Sequence, residues 1–115
     1  MRYLVSTFLF AAFLFLAPFL AQAAEKTLTV VELFTSQGCS SCPPADSYVG
    51  ELAKRDDVLA LSYHVDYWDY IGWKDPFADP QHTVRQRRYS CQMNLSYIYT
   101  PQVVIQGSEQ AIGSD

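Results

Sequence analysis

The chain has 115 residues, half of them hydrophobic and 15% aromatic, with a formal net charge of −4. An acidic balance without a basic run lacks the electrostatic footprint of a nucleic-acid binder. Three cysteines are too few for a disulfide-built scaffold, while the apolar content is ample for an ordinary hydrophobic core.

Met1 and Arg2 precede an uncharged run from Tyr3 to Leu20, rich in Leu, Phe and Ala, and then Ala21-Gln22-Ala23. This is the layout of a secretory signal peptide cut after Ala23. An uncleaved membrane anchor is the rival reading, because the run is just long enough to span a bilayer. Pro18 and the small residues after it favour cleavage. The expectation is a signal peptide over 1–23 and one domain over 24–115, periplasmic or secreted and with no membrane segment after cleavage. Such compartments are oxidising.

In chain order, Thr27–Thr35 is β-branched and apolar and predicts a buried strand. Pro43 and Pro44 fit the first turn of a helix, where a missing N–H costs nothing, and the helix runs on to Lys54 with Tyr48, Val49, Leu52 and Ala53 on one face. As the residue before a proline, Cys42 is expected to be extended and near the N-cap. Val58–Val65 predicts a second strand, so the helix between them implies a parallel βαβ unit. An acidic, aromatic segment from Asp66 to Asp79 follows. Asp79 as N-cap and Pro80 at the first helical position start a second helix that continues through Gln92. Gln102–Gln106 predicts a third strand, and Gly107 a turn. No repeat or interdomain linker is present. The third strand lacks an obvious sequential partner and no last helix covers the sheet. The chain is therefore expected to be the N-terminal portion of a longer domain, with an open edge at Val103, Val104 and Ile105 that makes residues 24–115 unstable alone.

The chemistry centres on Thr35-Ser36-Gln37-Gly38-Cys39-Ser40-Ser41-Cys42-Pro43-Pro44, at the turn from strand to helix. Two thiols so spaced can close into a disulfide and reopen, and a helix N-terminus favours the thiolate. In this reading Cys39 is the nucleophile and Cys42 resolves the mixed disulfide. The alternatives are a purely structural bridge, or a non-enzymatic module that binds a partner protein or copper through Cys39, Cys42 and His64 as soft ligands. Zinc would want a fourth ligand. His64 also reads as a hydrogen-bonded structural histidine, with Asp66 the acid most worth testing beside it. Asp69, Asp75 and Asp79 suit turns and caps. The aromatic segment is either a rim for a partner peptide or a loop packed on its own side chains. His82, Arg85, Arg87 and Arg88 read as solvated, the arginines alternatively as partners of the acidic loop. Cys91, beside Tyr89 and Leu95, reads as a buried inert thiol.

The order strand, CxxC, helix, strand, helix, then Thr100-Pro101 before an apolar strand resembles the thioredoxin-like fold. That resemblance implies an α/β, βαβαβ core in which a cis-proline, here Pro101, lies beside the CxxC pair. It also gives Thr100 and Pro101 a part in the substrate groove. Gly38 stands where thioredoxins usually carry tryptophan. More narrowly, Val31 to Asp46, His64-Val65-Asp66-Tyr67-Trp68-Asp69-Tyr70 with Gly72 to Phe77, and Tyr99-Thr100-Pro101-Gln102 are similar to a family of bacterial domains of unknown function, usually secreted. That family supplies a fold and not an established activity; the activity expected from the cysteine pair itself is extracytoplasmic thiol–disulfide exchange with protein thiols or disulfides, with no cofactor.

Overall fold

The computed structural model describes residues 25–115. The signal-peptide expectation for 1–23 lies outside the described residues. The elements are β1 (Thr29–Thr35), α1 (Pro43–Leu52), β2 (Val58–His64), α2 (Pro80–Gln92), β3 (Gln102–Ile105) and β4 (Glu109–Ile112). They form a four-stranded sheet in the order β2-β1-β3-β4, with β1 and β2 parallel and the other pairs antiparallel. This α/β arrangement is compatible with a small thioredoxin-like core. Among the described residues, no helix is long and apolar enough to cross a membrane.

Side chains alternate along β1, so the central strand feeds two cores. Val31 and Leu33 pack with Ala45 and Val49 of α1, while Phe34 packs with Val104 and Val65, flanked by Tyr63 and Tyr89. Both faces of β1 are thus buried, as its near-continuous apolar run predicts. Glu32, on the same side as Phe34, is also buried. Its carboxylate accepts from Arg85 Nε at 2.6 Å and from the Tyr89 hydroxyl. The Arg85 guanidinium lies 5.0 Å from the Tyr63 ring centroid and 5.5 Å from that of Tyr89. Its partner is therefore a strand carboxylate and not the acidic loop.

Three sequence expectations need correction. β3 does have a sequential partner: Gly107 and Gln106 take positive φ in the turn, and β4 pairs Val103 with Ala111 and Val104 with Gln110. The edge expected to be open is therefore covered, and β4 and β2 are the outer strands. On α1 the buried residues are Ala45 and Val49, with Leu52 half-buried; Tyr48 is exposed. One residue's rotation of 100° separates Tyr48 from Val49, enough to turn it to solvent. Cys42 is helical rather than extended, with φ −79° and ψ −30°. Its carbonyl accepts from Asp46 N–H, and closing that first turn outweighs the pre-proline bias.

The second helix begins as the sequence predicts. Asp79 is extended, accepts from Gln81 N–H at 2.8 Å, and is followed by Pro80.

Candidate functional site

Cys39 and Cys42 are joined as a disulfide, with Cα atoms 5.4 Å apart, within the usual span for such a bridge. They sit where β1 ends and α1 begins, Cys42 being the N-cap of the helix. Cys39 is 4% exposed and Cys42 0%, so only Cys39 meets solvent. The turn is held by backbone bonds from Cys39 N–H to Ser36 O and from Cys42 N–H to Cys39 O. The Ser36 hydroxyl accepts from Gly38 N–H at 3.0 Å. Thr35 donates to Asp46 in the first turn of α1 at 2.6 Å, which ties the strand end to the helix start.

Gly38 has a steric cause. A Cβ there would lie 3.0 Å from Trp68 Cβ and 3.2 Å from the Trp68 carbonyl oxygen. The aromatic segment therefore comes against the cysteine turn at the position where thioredoxins usually place a tryptophan. Trp68 then reaches onward, its indole N–H donating to Thr100 Oγ1 at 2.8 Å. Thr100-Pro101 is a cis peptide bond, and Pro101 is buried. Gly113 marks how close this turn lies to α1: a Cβ on it would meet Ala45 at 3.0 Å and Pro101 at 3.2 Å. A buried amide backs the arrangement. Gln86 donates to the Tyr99 carbonyl at 2.6 Å and to Gln102 at 3.0 Å, and accepts from the Tyr67 hydroxyl at 3.1 Å. Burial pushes the Tyr67 phenol up to about 12.

His64, the last residue of β2, finds its acid in Asp75 and not in Asp66. Nδ1 of His64 lies 2.5 Å from Asp75 Oδ2. Asp66 instead accepts from the Thr83 hydroxyl at 2.6 Å. The reason is local pairing: Thr83 of α2 engages both the backbone N–H and the carboxylate of Asp66, whereas the later part of the loop brings Asp75 against Gln37 and His64. The Asp75 side chain is 1% exposed. Oδ2 also accepts from Gln37 N–H at 2.9 Å, and Oδ1 from Phe77 N–H at 2.9 Å. Asp69 accepts from the backbone N–H of Asp75, the turn role expected of it. Burial pushes the Asp75 carboxyl up, but the bonds from Gln37, His64 and Phe77 outweigh it and hold it below its ordinary value. An ionised carboxylate only accepts, so Nδ1 of His64 is the donor in this bond. His64 also lines a cleft of about 410 Å³ with Gln37, Asp46 and Ser62.

Other expected residues fall elsewhere. Cys91 is exposed on α2, because Thr83, Gln86 and Ser90 occupy the inward face of that helix. His82 is half-buried, with Nδ1 2.8 Å from the His64 carbonyl. The aromatic segment divides: Tyr67 and Trp68 pack inward, while Tyr70, Ile71, Trp73 and Phe77 are exposed. Among the described residues no group of three His, Cys, Asp or Glu side chains is placed to hold a metal ion, the set Cys39, Cys42 and His64 included.

Residues 30–115 match the protein family described as "Protein of unknown function (DUF1223)". The chain belongs to this family. The DUF1223 match takes in β1 from Val30 onward, the other three strands and both helices. The fold is similar to a crystal structure of an Agrobacterium tumefaciens protein, with 47% sequence identity and a TM-score of 0.76 over 81% of this chain. The chain spans 42% of the length of that protein. Comparison with curated proteins gives no match.

Proposed function

We propose that the protein is an extracytoplasmic thiol–disulfide oxidoreductase acting through Cys39 and Cys42. The observation that carries this reading is the junction itself. A closed Cys39–Cys42 pair caps α1, with only Cys39 reachable, and Trp68 links its turn to the cis Thr100-Pro101 turn. The signal-peptide layout of residues 1–23 supports export to an oxidising compartment.

In the reducing direction the Cys39 thiolate attacks one sulfur of a substrate disulfide. A Cys39–substrate bond forms, the substrate S–S bond breaks, and one substrate thiolate leaves. Cys42, deprotonated, then attacks Cys39 Sγ, which regenerates the internal disulfide and releases the second substrate thiolate. Two electrons pass from the dithiol to the substrate; the reverse sequence oxidises a substrate dithiol. Thr100 and Pro101 form the wall against which an extended substrate chain lies.

The test is the midpoint potential of the Cys39–Cys42 pair in glutathione redox buffers. A value between about −120 and −270 mV is expected for an exchanger. A value below about −300 mV identifies a structural bridge and overturns the proposal.

A further inference from the structure

Gln37 N–H, two residues before Cys39, points its hydrogen bond at a carboxylate that arrives from a loop 38 residues later in the chain. That carboxylate is nine-tenths buried and simultaneously engages His64 Nδ1 and Phe77 N–H. Trp73, from the same loop, donates its indole N–H to Gln37 Oε1 at 2.8 Å. Gln37 is thus held by main chain and side chain together. Nothing in the sheet requires this: β1 ends at Thr35, and the bonds inside the turn are supplied by Ser36 and Cys39.

We propose that Asp75, held in place by His64, is a positioning residue for Cys39: its clamp on Gln37 favours the closed-disulfide geometry of the turn and so sets the redox equilibrium of the pair. The proposal rests on the exchange reading given above. A buried, ionised acceptor loses several bonds at once if replaced, and hydrogen bonds to charged groups are among the stronger ones. Only the part of that energy that differs between the oxidised and reduced turns moves the equilibrium. Asp75→Asn and His64→Leu should each make the disulfide about three- to tenfold easier to reduce, tenfold being about 30 mV for a two-electron couple. His64→Asn, whose amide can still donate to Asp75, should restore a near-wild-type equilibrium. Asp56→Asn, at an exposed acid, is the control.

The experiment titrates each full-length variant in glutathione buffers and melts its oxidised and reduced forms. Equilibria that stay within twofold of wild type while the melts fall equally in both forms would show that Asp75 supports only the fold, and would overturn the inference. Failure of His64→Asn to restore the equilibrium would remove His64 from it. A wild-type pair too stable to exchange would instead overturn the exchange reading, and the variants' shifts with it.

Discussion

The indole N–H of Trp68 bonds to the Thr100 hydroxyl across 32 residues of sequence, while Trp68 Cβ and its carbonyl oxygen crowd the space that a side chain at Gly38 would take. One residue of the aromatic segment therefore spaces the cysteine turn from the cis-proline turn. Trp68→Phe and Thr100→Val should each cost about 1 kcal/mol. In a double-mutant cycle the two should couple by about 0.5–1.5 kcal/mol. Urea unfolding of the four proteins measures it; strict additivity would mean the bond contributes nothing.

Asp75 gives the protein an acid-labile link. Its carboxyl is held below the ordinary value in the folded chain, so the stability it contributes is present above about pH 4 and is lost as pH falls through the lowered folded value. Denaturation across a pH series should show wild type losing stability on acidification, and Asp75→Asn should be weaker at neutral pH with a flatter acid slope. An unchanged slope would place the acid sensitivity elsewhere.

A methyl group on Gly113 would lie 3.0 Å from Ala45 Cβ and 3.2 Å from Leu33 Cδ1 and Pro101 Cβ, so these packed side chains would have to give way by a few tenths of an ångström. Gly113→Ala should destabilise the protein by roughly 1–3 kcal/mol, the usual cost of overpacking. A thermal melt unchanged from wild type would contradict the tight closure of β4 against α1.

Thiol labelling should report three separate environments. Cys91 is exposed, Cys39 barely so, and Cys42 buried. A maleimide should add once to the native protein at Cys91. After reduction, Cys39 should react before Cys42. Mass spectrometry of peptides resolves the order, and faster labelling of Cys42 would reverse the roles of nucleophile and resolving thiol.

Much of this was legible in the chain. The βαβ unit follows from two apolar runs around a proline-started helix, and Asp79-Pro80 announces α2 because cap and N1 preferences are local. The cysteine pair and the Thr-Pro turn carry motifs of their own. β4 was not legible: Glu109-Gln110-Ala111-Ile112 has neither β-branched density nor a buried face, and it is a strand because β3 offers an edge to pair with. The partner of His64 was not legible either. Nearness in sequence points to Asp66, whereas the acid that arrives is set by the path of a loop. Cys91 misled because Tyr89 lies on another face of α2 and Leu95 lies beyond the end of that helix.

Replacing Arg85 tests the carboxylate in the middle of the sheet. Arg85→Ala leaves Glu32 buried with Tyr89 as its remaining partner. Losing a partner of a buried charge costs about 3–5 kcal/mol. Because Arg85 is 44% exposed, water replaces part of the contact, and about 1–3 kcal/mol is expected. Denaturant unfolding measures it, and Glu32→Gln should recover part of the loss.

Glu32 lies opposite Leu61 on one side and Val104 on the other, with apolar residues before and after it in β1. A one-residue slip of this strand would turn its whole side-chain set over. Leu33 and Phe34 would each still meet hydrophobic surroundings, so apolar packing alone discriminates poorly between the two alignments. Glu32 discriminates sharply, since the slip would strip it of Arg85 and drive its charge among Ala45 and Val49. A single acid on the central strand thus acts as an alignment key, and the strand that delivers Cys39 to the helix start has one admissible setting.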